Sequence, residues 1–119
     1  MIIKRFEDII AWQKAQDIAV DVYSIFGSIK DFGFRDQICR ASVSISNNIA
    51  EGFNRSSDKD FSRFLYISLG SCSELMSMLY LAHKLKYIDE QQKTTLLDKS
   101  NEIAKIIRGL IKSFNKINL

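Results

Sequence analysis

The chain contains no proline, one histidine and two cysteines. Without proline, nothing obliges a helix to kink, so long helices are allowed. Cys39 and Cys72 are too few for a disulfide framework. They read as free thiols in a cytoplasmic protein. The single histidine, His83, has Tyr80 three residues before it. A carboxylate di-iron bundle needs Glu-x-x-His pairs, so that chemistry is excluded, and His83 reads as a half-buried helix residue. No metal-ligand cluster or nucleophile elbow accompanies the carboxylates. The expectation is a non-enzymatic protein with no cofactor and no metal. No continuous apolar run approaches ~18 residues, so no membrane span is expected. The opening stretch, MIIKRFEDIIAW, holds Glu7 and Asp8 and lacks a small-residue cleavage site, so no signal peptide is expected either.

The chain does have the makings of a core. At 119 residues and 46% apolar composition it reads as one domain, long enough to bury roughly two-thirds of its unfolded surface. The formal charge of +3 is uneven: residues 1–60 hold eight bases and nine acids, and residues 61–119 hold nine bases and five acids. Such a surplus permits nucleic-acid contact without demanding it.

The apolar spacing predicts four helices, at about 7–28, 34–53, 58–86 and 89–117. In the first, Trp12, Ala15, Ala19, Val22, Phe26 and Ile29 follow three-four spacing, and Ala11, Ile18 and Ile25 repeat every seven beside them. The third opens on Ser57 with Asp60, an approximate capping box. The fourth opens on Asp89 with Gln92, and Leu96, Ile103, Leu110 and Ile117 recur every seven residues. Short links between long helices make this an all-α, antiparallel up-down-up-down four-helix bundle in one domain, residues 1–119.

The second helix is the ambiguous one. In RASVSISNNIAEGF, Ala41, Val43 and Ile45 alternate like a strand, while Ile38, Ala41, Ile45, Ile49 and Gly52 step like a helix. A lone strand among three long helices would have no partner, so length decides for a helix, with Gly52 expected as its left-handed stop. Ser42, Ser44, Ser46, Asn47 and Asn48 together cost roughly 2–3 kcal/mol of helix propensity. A hairpin with the third helix would put Ala41 level with Gly70, Arg40 with Ser71 and Ser44 with Ile67, so that small residues let the backbones approach. Arg40, Asn48, Glu51 and Glu74 then form a polar network beside the apolar face, with Arg40 expected to pair with a partly buried Glu74 and Glu51 with Arg55 or Asn48.

On the fourth helix Lys105, Arg108, Lys112 and Lys116 project within an arc of roughly 80°, at 100° per residue. This is either a solvated face or a strip for phosphates, since nucleic-acid affinity grows with the number neutralised. No RNA-recognition signature accompanies it.

Several stretches resemble one family. FEDIIAWQKA, VYSIF, DQICRASVSISNNIAEGF and GSCSEL together are similar to the four-helix-bundle proteins encoded in 23S rRNA intervening sequences, sometimes labelled as a ribosomal protein family. The likeness covers nearly the whole chain. It departs where Ser46 and Asn47 stand in place of the usual proline and alanine, near Gly27 where a proline is common, and at Leu69 where an arginine is often found. The resemblance implies a ring-like homo-oligomer, a homopentamer, related to a pentameric accessory protein of diversity-generating retroelements that binds nucleic acid through a basic surface. RNA binding is the preferred role; a protein-binding adaptor using an apolar groove is the alternative. An oligomer also follows from the two apolar rows of the first helix, which exceed what one bundle stripe requires. Ala11, Ile18, Ile25 and Ile106 are the expected interface residues.

Overall fold

The computed structural model describes residues 3–117, with side chains for residues 3–114. A 3-10 turn, Phe6–Asp8, precedes four helices: α1 Ile10–Phe26, α2 Phe32–Phe53, α3 Asp58–Lys84 and α4 Glu90–Ile117. The described residues contain no strand. The RASVSISNN segment lies wholly inside α2, so the helical reading of the spacing holds.

Local chemistry fixes the starts. Asp31 accepts from the Phe34 N–H at 3.2 Å and begins α2 two residues earlier than the spacing suggested. Ser57 accepts from the Asp60 N–H at 3.1 Å. Before α4, Asp89 accepts from the Gln92 N–H at 2.7 Å and Gln92 returns the bond to the Asp89 N–H at 3.0 Å, a complete capping box. The α3 stop is less expected. Lys86 adopts φ 65°, while the Tyr87 N–H reaches the Ala82 carbonyl at 2.9 Å and the Lys86 N–H reaches His83 at 3.0 Å. This is a Schellman ending without its customary glycine. Gly52, by contrast, is not a left-handed stop. It lies within α2 and has negative φ.

Consecutive helices run antiparallel around a shaft of 47 × 20 × 19 Å. Gln16 of α1 donates to Ser46 of α2, Ser71 of α3 to Ser44 of α2, and Phe61 of α3 stacks on Phe114 of α4. Lys14–Glu102 at 2.6 Å and Lys99–Asp21 at 2.8 Å bridge α1 to α4 along the lightest of the four seams. Phe26, Ile38, Ile45, Leu65, Leu75, Leu79, Ile103 and Ile107 fill the axis. Each fully buried aliphatic or aromatic side chain contributes roughly 1.5–3 kcal/mol.

Facing pairs on α2 and α3 sit two to four residues from the expected level. Ser71 meets Ser44 and Ser68 meets Ile45, because helical side chains lean toward their own N-terminus. Gly70 lies away from the buried Leu65, Ser68, Cys72 and Leu75 row and faces outward, with nothing within 4 Å of an added Cβ. The close approach is made at Gly52 instead, where an added Cβ would stand 2.5 Å from Phe64 Cβ and 3.0 Å from Phe61 Cδ1. By length and composition α3 is apolar enough to cross a membrane, which a search for unbroken runs misses because serines and Gly70 interrupt it. Its apolar inner side packs on α2 and α4.

Candidate functional site

The expected polar network is split. Glu51 and Arg55 do pair, at 3.0 Å one helical turn apart. Asn48 turns the other way and donates to the Ser44 carbonyl and hydroxyl at 2.8 and 2.9 Å, so its amide is spent one turn back on its own helix and not on Glu51. Arg40 and Glu74 are both exposed, and the described residues contain no ion pair between them. Glu74 receives only a long 3.5 Å contact from Gln37. The buried pair inferred from spacing is therefore corrected. The seam between α2 and α3 is filled by serines: Ser68 donates to the Ile45 carbonyl and Ser71 to the Ser44 hydroxyl, both at 2.8 Å. The charges are left outside it.

Lys105, Arg108 and Lys112 are exposed on the outer side of α4, and among the described residues none forms an ion pair. The Lys116 side chain lies outside the described residues. The same end of the bundle carries the α2–α3 turn, with Arg55 tied to Glu51 and Arg63 to Asp60. Toward the other end, α4 loses its basic bias, with Asp98 exposed and Glu102 and Lys99 joined to α1. The cations are thus grouped at one end of one helix.

A second feature was not visible in the spacing. The outer side of α2 bears small side chains, and a trough of about 750 Å³ runs along it, walled by Tyr23 of α1 and Gly27 just beyond it and floored by Cys39, Arg40, Val43, Ser44 and Asn47. Arg35 at its end is held by Asp36 at 3.0 Å and lies over the Phe32 ring. The poor helix formers of α2 make this trough, because longer side chains would fill it. Cys39 and Cys72 are buried thiols. Burial raises the Cys39 thiol and pushes Cys72 up to about 11, so neither is a ready nucleophile. His83 is half-buried, with Nε2 3.1 Å from Glu90.

The expected oligomer contacts also move. Ala11 and Ile18 are 0% and 1% exposed inside the single chain, so no second copy can reach them. Ile25 and Ile106 are half-buried against the core edge. Both rows of α1 are consumed within the bundle, since a helix wedged between α2 and α4 buries a face wider than one stripe. Large apolar side chains left in solvent lie elsewhere: Ile10, Val20 and Tyr23 on α1, Phe32 at the start of α2, Tyr66, Ile67, Tyr80 and Leu81 along α3, and Leu85 just past its end.

A family model described as 23S rRNA-intervening sequence protein matches residues 7–109. Among solved structures, the chain is similar to a protein with unknown function from the S23 ribosomal protein family from Bacteroides thetaiotaomicron VPI-5482. The two share 29% identity and a TM-score of 0.82, over 87% of this chain and 99% of that one. No curated protein matches.

Proposed function

The chain belongs to the 23S rRNA-intervening sequence protein family, and from that premise we propose that it is a non-enzymatic homo-oligomeric bundle that binds RNA through the basic end of α4. The observation that carries this reading is the group of exposed cations Lys105, Arg108 and Lys112, on one helix side and without carboxylate partners among the described residues. Three or four cations on one copy bind a phosphate backbone weakly. A ring repeats them and converts later contacts into intramolecular ones. The homopentamer and the cytoplasmic location rest on the family likeness and the thiol reading respectively. Nothing in the strip reads bases, so the proposed contact is to phosphates and the RNA sequence is left to other features.

The test is fluorescence anisotropy with single-stranded RNA across a salt series. Log affinity should fall with log salt by roughly 0.7 per phosphate contact. Charge reversal at Lys105, Arg108 and Lys112 should abolish binding and leave helicity unchanged. Binding that ignores salt and survives reversal would overturn the reading and favour an adaptor. In that case the recess of about 310 Å³ where Phe53, Phe61, Leu110 and Phe114 meet Arg55, Ser57 and Asp58 is the groove to mutate.

A further inference from the structure

The outer side of α3 is built unlike a solvated helix. Between Arg63 and Lys84 its only acidic or basic side chain is Glu74, apart from the half-buried His83. Tyr66, Ile67, Tyr80, Leu81 and Leu85 stand between 44% and 59% exposed there. Gly70, Ser73 and Ser77 lie exposed between them, and the whole strip covers roughly 140° at 100° per residue. The outer side of α4 carries Asp98, Lys99, Glu102, Lys105, Arg108 and Lys112 instead. One bundle thus has a charged side and a charge-depleted side. Depletion of charge with enriched tyrosine marks the core of a protein interface.

We propose that the α3 ridge of one copy seats in the α2 trough of the next, with Glu74 of the first directed at Arg40 of the second. This deepens the oligomeric reading above and rests on it. Charge and shape name the occupant. The ridge presents one carboxylate, held only by a 3.5 Å amide contact. The trough presents one guanidinium without an ion-pair partner among the described residues, because Arg35 is already held by Asp36. Small residues on the ridge let a helix backbone approach the floor formed by Cys39, Val43, Ser44 and Asn47. The ridge and the trough are different surfaces of the same chain, so the contact is head-to-tail. Such a contact closes into a ring when its rotation allows, whereas a self-paired patch would stop at a dimer. A polyanion does not suit this side, where the carboxylate of Glu74 stands mid-strip and the exposed cations Arg63 and Lys84 lie only at its two ends. A lipid surface suits it poorly, because Glu74, Ser73 and Ser77 would enter hydrocarbon beside the α4 charges.

Sedimentation equilibrium on the full chain reads the outcome. Arg40→Glu and Glu74→Arg should each place like charges across every contact and raise the dissociation midpoint by at least about tenfold. The double exchange should restore the wild-type mass. Leu81→Lys on the ridge and Val43→Lys in the trough should each give monomers, with thermal melts by circular dichroism keeping the fold separate from the association. A wild-type oligomer unchanged by all four substitutions would overturn this interface and leave the oligomeric reading standing. A monomeric wild type would overturn both. A monomer that floats with anionic vesicles until Leu81→Lys releases it would assign the ridge to a bilayer instead.

Discussion

The Ser71 hydroxyl of α3 donates to the Ser44 hydroxyl of α2 at 2.8 Å, and one turn toward the connecting loop Ser68 donates to the Ile45 carbonyl at the same distance. Ser68 is fully buried and Ser71 nearly so. The two bonds cross the seam in a direction that apolar packing alone does not fix, and they hold the α2–α3 hairpin in one register. Ser68→Ala should cost about 1 kcal/mol, the net worth of one hydrogen bond. Ser68→Leu should cost about 1–3 kcal/mol through overpacking. Urea denaturation measures both, and a Ser68→Ala protein as stable as the wild type would mean that the bond contributes nothing.

The glycines of α2 and α3 should respond in opposite ways. Gly52→Ala forces a Cβ against Phe64 and Phe61 and should destabilise by about 1–3 kcal/mol. Gly70→Ala meets open space within the chain and should stabilise the protomer by about 0.5–1 kcal/mol through helix propensity. Melting temperatures of both variants check this; a stabilised Gly52→Ala protein would show that α2 and α3 part easily.

Lys86 holds a left-handed backbone that disfavours a side chain. Lys86→Gly should stabilise by about 1 kcal/mol, the usual penalty for a non-glycine residue in that region. The readout is the denaturant midpoint. An unchanged midpoint would place the turn's stability in its two hydrogen bonds rather than in its dihedral angles.

Asp31 is held below the usual carboxylate range, first because the Tyr87 hydroxyl donates to its Oδ2 at 2.7 Å and next because the Phe34 N–H donates to Oδ1. The same bond raises the Tyr87 phenol. Folding therefore favours the ionised carboxylate. Its contribution is fully present above the ordinary value of about 3.9 and is lost as pH falls through the lowered one. Tyr87→Phe should move the Asp31 titration upward in a carboxyl NMR experiment and weaken the loss of stability on acidification. An unmoved titration would show that the bond does not persist in solution.

The helices were legible in the sequence because heptad spacing, capping pairs and the absence of proline all pointed the same way. The Asp89–Gln92 box and the Ser57–Asp60 cap were readable residue by residue. What spacing does not carry is the lean of side chains along antiparallel helices. Ignoring it set Arg40 against Ser71, where Ser71 in fact reaches Ser44; matching by level alone also set Gly70 against Ala41, although its place around the helix turns it outward. The same omission hid the purpose of Gly52, which makes room for two phenylalanines. A periodicity count also treats every apolar row as surplus once one stripe is filled. Ala11 and Ile18 looked available for a second copy, although α2 and α4 between them bury both. The exposed rows of α3 were written in the same alphabet as its buried ones, so only packing could tell them apart.

The light seam between α1 and α4 has a kinetic meaning. Every other seam joins helices adjacent in sequence, across a turn of a few residues, so closing it loses little chain entropy. The α1–α4 contact joins the most distant parts of the bundle, with Lys14–Glu102 and Lys99–Asp21 along its edge. Its formation should come last on the way in and its rupture first on the way out. In a chevron experiment, Ser68→Ala would then act mainly on the refolding arm, and Lys99→Ala, so far as this exposed pair contributes, on the unfolding arm. The reverse assignment would mean that the ends of the chain meet before the central hairpin does. The bundle is a ring of helices that shuts like a clasp, with its weakest catch where its two outermost helices meet.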